Sequence, residues 1–254
     1  MQVCHTAAGA AGAGAATGVA GAFGARAIAS ATDRPIDPDT AVLRRMGGFL
    51  QARTRIVWRS VAAMTEQISR FGHVELDDLP EDLRERIAPI AEKSGFVPNV
   101  FRALGTRPRE LRAFLDYHDA LMDSDEGLSR AERELIVVAT SAANNCTYCV
   151  VAHGAVLRIR AKDPQIADRV AANPYTVALT PRQRAIVDLA LIIATASDQL
   201  TADDLDLARA AGLTDDEIWD IGAITALFAM SNRLAHLGAI EPNDEFFAMG
   251  RLPR

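Results

Sequence analysis

The sequence predicts an all-α protein, a helical bundle of two helical repeats with a CxxC motif at the N-terminus of a central helix. Apolar residues recur at the i, i+3, i+4 spacing of helices. Aromatic residues make up only 6% of the chain and alanine is abundant, a composition that suits closely packed helices. No stretch shows a strand pattern. With 254 residues and 49% hydrophobic content, the chain can bury a substantial core.

The first 63 residues differ in composition from the rest. Residues 1–31 contain 19 Ala or Gly and no acidic residue, and they lack the charged start and Leu-rich centre of a secretory signal. Residues 1–63 carry a net charge of +4, so the remainder carries −10. We predict that residues 1–63 are a low-complexity, then basic, extension that is disordered or not part of the native protein, followed by a helical domain at 64–254. A cleaved transit peptide and an ordered helix at about Val42–Ala63 are the alternatives.

Local signals predict helices on both sides of the CxxC region. Pro89 falls inside the first helix and is expected to kink or split it. His118 lies on the apolar face of another, as either a hydrogen-bonded core residue or a site residue. The predicted helices are Glu81–Lys93, Pro98–Leu104, Arg109–Met122, Ile166–Ala172, a helix opened by Thr180 and Pro181, Thr201–Ala211, and a segment from the cap at Thr214 to Leu237.

A weak internal repeat relates two of the helix starts. The residues LSRAERELI, from Leu128, are echoed 51 residues later by LTPRQRAIV, from Leu179. Both copies contain a capping box, with Ser or Thr followed three residues later by Glu or Gln. In the second copy Ala185 replaces Glu134, and no CxxC follows. The sequence therefore predicts one redox centre per chain.

The chemistry-bearing residues lie around a turn between two predicted helices. The first helix runs from about Arg130 to Ala143, and the second begins at about Cys146. Asn144 and Asn145 are a plausible stop, because Asn tolerates the left-handed conformation that ends helices. If the two helices fold back as a hairpin about Asn144, Glu134 lies ten residues before the turn and His153 lies nine after it. The two residues are then level with each other.

That register brings four side chains together. Cys146, Cys149 and His153 share one face of the second helix, and Glu134 is level with His153. The carboxylate can orient the imidazole, and the imidazole can take the proton of Cys149 one turn away. A thiol at a helix start is favoured as the thiolate. We therefore expect the more populated thiolate at Cys149.

Alternatives for the dithiol are zinc binding and inert packing. Cys146, Cys149 and His153 supply three zinc-type ligands, with Glu134 as a conceivable fourth, but structural zinc sites usually join two CxxC-like pairs. Inert packing would not need the acid and base beside the thiols, so thiol redox chemistry is the favoured prediction.

There is no GxGxxG or P-loop motif, so we expect no bound cofactor. The charge of −10 disfavours nucleic acid, nothing indicates a membrane partner, and a single CxxC favours a cytoplasmic location.

The pattern E-x11-C-x2-C-x3-H resembles the alkylhydroperoxidase D family, within the carboxymuconolactone decarboxylase superfamily. The segments GFVPNVFRAL, LRAFLDYHDALM, AHGAVLRIRAKDP and MSNRLAH resemble its peroxidase-related branch, so the resemblance covers about residues 76–251. It implies a thiol peroxidase in which Cys149 is oxidised to a sulfenic acid, Cys146 is proton donor and disulfide partner, and Glu134 and His153 form the relay. It also implies a reductant that is a lipoyl-bearing or thioredoxin-like protein.

The resemblance has one departure and leaves alternatives. The best-known members carry a histidine just before the second cysteine, where this chain has Tyr148, and an unperturbed tyrosine is a poor proton shuttle at neutral pH. The alternatives are a decarboxylase-like small-molecule enzyme that uses Glu134 and His153 as acid and base, or a general dithiol-disulfide oxidoreductase. Free-thiol titration with peroxide separates redox from non-redox chemistry.

The segment Trp219–Leu237 is apolar nearly all round, which predicts a buried helix. We expect it to contact another copy of the chain, as part of a homo-oligomer. Asn232, Arg233 and His236 lie at its polar end. They either cap the helix and pair at the surface, or line a pocket near the CxxC motif.

Overall fold

The computed structural model describes residues 67–124 and 126–251. The predicted extension at 1–63 and the alternative helix at about Val42–Ala63 lie outside the described residues. The predicted division of the chain at residue 64 therefore stays a prediction.

The described residues form α-helices and short turns, with no strand among them, which confirms the all-α prediction. Three 3-10 turns, at Leu76–Asp78, Pro174–Thr176 and Ser197–Gln199, join the helices. The helices are α1 (Glu81–Ser94), α2 (Asn99–Leu104), α3 (Pro108–Met122), α4 (Arg130–Ala143), α5 (Thr147–Ala161), α6 (Ile166–Ala172), α7 (Pro181–Ala196), α8 (Ala202–Ala210), α9 (Asp215–Gly238) and α10 (Asp244–Ala248).

Helix α4 lies at the centre of the bundle and packs against α5, α6, α7 and α9. Nine consecutive residues of α4, Arg133–Ser141, are buried. The largest core cluster joins α4, α5, α7 and α9, and a separate cluster holds α1 against α3. The helix that carries Glu134 is therefore held from several sides, which fixes its position relative to its neighbours.

The two predicted capping boxes are both present. Ser129 and Thr180 each accept a hydrogen bond from the backbone N–H three residues on, and the residue there bonds back to the cap. The repeat extends to two arginines that hold the loop before their helix. Arg133 is fully buried and donates to the carbonyls of Leu121, Glu126 and Leu128. Its counterpart Arg184 donates to the carbonyls of Pro174 and Val177.

The long helix α9 is buried on one side within a single chain. One side is buried through Ile221, Ile224 and Phe228, as expected. The other side is exposed within a single chain: Trp219 is 77% accessible and Leu237 is 59% accessible. A single chain therefore leaves this side uncovered, and the prediction that another copy completes its burial stays a prediction. No helix within the described ranges is long and apolar enough to cross a membrane.

Candidate active site

The turn before the first thiol is built by two asparagines. Asn144 ends α4, and Asn145 adopts the left-handed conformation, with φ of 56°. The backbone N–H of Cys146 then donates to the carbonyl of Ser141 at 2.9 Å. Cys146 is thereby placed at the N-cap of α5, where the backbone N–H groups of a helix start are unpaired and their partial charge is positive.

Helix α5 returns along α4 and brings His153 against Glu134. The Nδ1–H of His153 donates to Oε2 of Glu134 at 2.8 Å, and the Glu134 residue is only 8% exposed. The imidazole also packs edge-on against the ring of Phe228, with 4.7 Å between centroids. The carboxylate and the aromatic ring together fix the plane of the imidazole. His153 Nε2 is left as the nitrogen that can accept a proton.

The two thiols perturb each other's pKa, whereas His153 is hydrogen-bonded to Glu134. Both are free and buried, at 1% and 2% exposure. The pKa of Cys146 is lowered from 9.0 to about 6, chiefly because the Cys149 thiol donates a hydrogen bond to its sulfur; the Cys149 backbone N–H and His236 also lower this pKa, while burial opposes them. The pKa of Cys149 is raised well above its ordinary value, because Cys146 holds its proton and the site is buried.

Helix α9 supplies the remaining polar groups around Cys149. The Oγ of Ser231 lies 3.9 Å from the Cys149 sulfur. The pKa of Cys149 is raised by Cys146 and by burial, and the side chains of Asn232 and Ser231 partly oppose this rise. Asn232 donates to Ser141 Oγ and accepts from Asn144 Nδ2, both at 3.0 Å. The end of α4, the start of α5 and the middle of α9 are therefore joined by one buried amide network.

A pocket of about 210 Å³ opens beside Cys146, between the N-terminal end of α5 and the C-terminal end of α9. His236 and Glu241 are polar residues of its wall, and Ile240 and Pro242 make part of it apolar. Among the described residues, no three His, Cys, Asp or Glu side chains come together as a group able to hold a metal ion.

Comparison with known proteins places this arrangement in a family. The carboxymuconolactone decarboxylase family model matches residues 108–190. The alkylhydroperoxidase AhpD core protein of Ralstonia eutropha, an uncharacterized peroxidase-related protein, is 54% identical over 75% of this chain and all of that one, with a TM-score of 0.73. The chain belongs to the carboxymuconolactone decarboxylase family, as an AhpD-like member.

Other solved structures share the fold of this AhpD-like protein. An uncharacterized peroxidase-related protein of a Silicibacter species is 36% identical, with a TM-score of 0.68, over 74% of this chain and all of that one. The debrominase Bmp8 is 19% identical, with a TM-score of 0.59, over 73% of this chain and 96% of that one. No curated protein matches. The family predicted from the sequence is confirmed.

The structure brings Cys146, Cys149, His153 and Glu134 of the AhpD-like chain to one place. The pKa directions at the two thiols differ, lowered at Cys146 and raised at Cys149, and the predicted thiolate at Cys149 stays a prediction. His153 bonds to Glu134 and to neither cysteine among the described residues. The i,i+4 spacing therefore places His153 near Cys149 without fixing where the thiolate charge resides.

Tyr148 is a structural residue in this AhpD-like chain. Its hydroxyl accepts a hydrogen bond from the backbone N–H of Val100 at 3.0 Å, at the start of α2. Burial raises the pKa of Tyr148, so the phenol stays neutral. It replaces the histidine of the best-known members with a group that ties the CxxC helix to α2.

Three residues outside the predicted catalytic set complete the surroundings, and of these only Ser231 was not named from the sequence. Ser231, Asn232 and His236 all lie on α9, more than 80 residues after the cysteines. The placement of Asn232 and His236 near the CxxC motif was the alternative interpretation of the polar end of this helix, whereas Arg233 is exposed and donates to its own helix. His118 is half-buried, bonds to Asp119 at 3.0 Å and lies 6.5 Å from the His153 ring.

Proposed function

We propose that this chain is a thiol-dependent, peroxidase-like oxidoreductase that reduces hydroperoxides through the Cys146/Cys149 dithiol. The observation that carries the proposal is the pair of free, buried thiols of one CxxC motif on the same helix as His153, which is hydrogen-bonded to Glu134. A thiolate is the form of cysteine that peroxides oxidise, and a lowered pKa keeps Cys146 in that form at neutral pH. Inert packing would require neither the thiolate nor the acid and base beside it.

The reaction uses both thiols. A hydroperoxide oxidises one sulfur to a sulfenic acid and leaves as an alcohol, and the second sulfur then displaces water to close a disulfide. Two electrons pass from the dithiol to the peroxide. His153, oriented by Glu134, is the base that removes the proton of Cys149. An external dithiol must then reopen the disulfide by thiol exchange.

The reductant in this proposal is a lipoyl-bearing or thioredoxin-like protein, as the family resemblance implies. The chain acts without a bound cofactor and as a homo-oligomer in the cytoplasm. Helix α9 supports the oligomer, because an exposed row of large apolar side chains on one helix is typical of a subunit contact. The row consists of Met230, Leu234 and Leu237, with Trp219 at the start of the same helix.

Free-thiol titration tests the proposal. The chain has three cysteines, and one equivalent of peroxide should reduce three titratable thiols to one, with Cys4 unchanged. A Cys146→Ser, Cys149→Ser chain is the control and should show no loss. If three thiols survive the treatment, redox turnover is excluded, and a decarboxylase-like activity that uses Glu134 and His153 as acid and base is favoured instead.

A further inference from the structure

A second histidine, on helix α3, lies beside the candidate site. The ring centroids of His118 and His153 are 6.5 Å apart, and the two rings contact Phe228 at centroid distances of 6.3 and 4.7 Å. The separation of the two imidazoles is too long for a direct hydrogen bond, but one water molecule can bridge it. The sequence places His118 on an apolar face, as a core residue or a site residue, and the proposed reaction gives it no role.

The two histidines have the same kind of partner at the same ring nitrogen. Nδ1 of His153 is 2.8 Å from Oε2 of Glu134, and Nδ1 of His118 is 3.0 Å from Oδ1 of Asp119. A carboxylate at Nδ1 favours the tautomer with its proton on that nitrogen, and it leaves Nε2 as the nitrogen that can accept a proton. Each imidazole therefore has one anchored nitrogen and one nitrogen available for proton transfer.

The carboxylate that anchors His118 is itself held by helix α1. Oδ2 of Asp119 accepts from Nε and Nη2 of Arg86, at 3.2 and 2.8 Å. The hydrogen bonds from His118 and Arg86 lower the pKa of Asp119 against the effect of burial, so this carboxylate stays ionised. Arg86 also donates to the exposed carboxylate of Asp116 on α3. The orientation of the His118 ring is therefore fixed by a charged group that is fixed in turn.

The two pairs of side chains form a row that leads from the interior toward solvent. The exposed fraction of the side chain rises along this row, from 11% for Glu134 and 19% for His153 to 26% for His118 and 40% for Asp119. A proton on His153 lies beside the buried thiols, whereas a proton on His118 lies nearer to bulk water. His118 therefore stands between the base of the site and the solvent with which that base must exchange protons.

We propose that His118 is a positioning residue for proton transfer, which acts through His153 and relays protons between it and solvent by way of one bridging water molecule. This inference rests on the proposed function, because a relay is needed only if His153 takes a proton from a thiol. Imidazole suits this role because it gains and loses a proton near neutral pH.

The relay moves protons only. When the Cys149 thiol gives its proton to Nε2 of His153, an S–H bond breaks and an N–H bond forms. His153 passes that proton to the bridging water, the water passes a proton to Nε2 of His118, and His118 releases one to solvent. The same path in reverse supplies a proton to the alkoxide or hydroxide that leaves during oxidation. The two electrons pass from the dithiol to the peroxide and do not enter the relay.

A glutamine substitution with imidazole rescue tests the relay. In the full-length chain, His118→Gln keeps an N–H donor for Asp119 but removes the group that carries a proton. At low buffer concentration, peroxide-dependent loss of free thiols should slow by about tenfold. This is less than the ~10²–10⁴-fold expected for loss of the base itself, because water still reaches His153. Added imidazole should restore the rate to within about twofold of wild type, because it can take the proton from His153 in place of His118.

The matched control is His73→Gln. His73 is an exposed histidine before α1 that also faces a carboxylate, Glu75, at 3.4 Å. This variant should react at the wild-type rate with and without imidazole. A second test variant, His118→Phe, keeps an aromatic ring between Phe114 and Phe228, and it should show the same slowing and the same rescue as His118→Gln.

Equal rates for His118→Gln, His73→Gln and the wild type would show that no proton needs to pass through His118, and the relay would be wrong. A slowing that imidazole restores in neither His118 variant would assign the histidine to packing and would also overturn the relay. Both of these results leave the dithiol peroxidase intact. If peroxide removes no thiols from the wild-type chain, the proposed function fails and the relay fails with it.

Discussion

Replacing Glu134 with glutamine tests whether its carboxylate acts only through His153. The variant keeps the shape of the side chain and a hydrogen-bond acceptor but removes the negative charge, 2.8 Å from the imidazole in a site that is mostly shielded from water. A hydrogen bond to a charged group contributes about 1.5–3 kcal/mol. Because about 1.4 kcal/mol corresponds to a tenfold change in rate, disulfide formation should slow by about 10- to 150-fold.

The assay is rapid quenching of peroxide-treated protein with a thiol reagent, followed by counting the remaining thiols. His153→Ala removes the base itself and should slow the reaction by about 10²–10⁴-fold. The double variant should be no slower than His153→Ala alone, because the carboxylate has no other route to the thiols. Glu110→Gln, an exposed carboxylate on α3, is the control and should react at the wild-type rate. Additive losses in the double variant would refute the role of Glu134 as a residue that acts through His153.

Three further predictions concern stability and assembly. Arg133→Met leaves three backbone carbonyls without their donor and should cost at least about 3 kcal/mol, or about 6–12 °C in Tm, whereas Arg233→Ala should change Tm by little. Tyr148→Phe orphans the N–H of Val100 and should cost about 1–3 kcal/mol, with peroxide reactivity within about twofold of wild type; a larger rate loss would give the phenol a chemical role. Sedimentation at micromolar concentration should show a dimer or larger, and Leu237→Glu should weaken it; a monomeric wild type would contradict the subunit contact on α9.

The parts of the site that follow from local pattern were predictable. Helix α4 begins and ends at the predicted residues, because its capping box and the two asparagines after it act within a few positions of the chain. The contact between Glu134 and His153 follows by counting residues on each side of that turn. Such predictions need only the helical rise and one tight reversal of the chain.

The parts supplied by α9 could not be predicted with the same security. Nothing local in the sequence fixes which face of α9 meets the start of α5, so Ser231, Asn232 and His236 had no signal beyond their polarity. The pKa values of the two thiols also depend on the folded site, because burial and the contact of each sulfur with the other shift them in opposite directions. The exposure of Trp219 could not be predicted either, because a helix that is apolar nearly all round gives no signal that distinguishes its core face from its exposed face.

The shared arginines of the two repeats have a practical consequence for experiments on this chain. Both copies retain the capping box and the arginine that holds the preceding loop, but only the first copy carries the acid, because Ala185 occupies that place in the second. Substitutions along α7 therefore change none of the proposed reacting groups and act on a helix that packs against α4 and α9. Variants in α7 can therefore measure how far turnover depends on the rigidity of α4 and α9. This contribution is separate from those of Glu134, His153 and the two thiols.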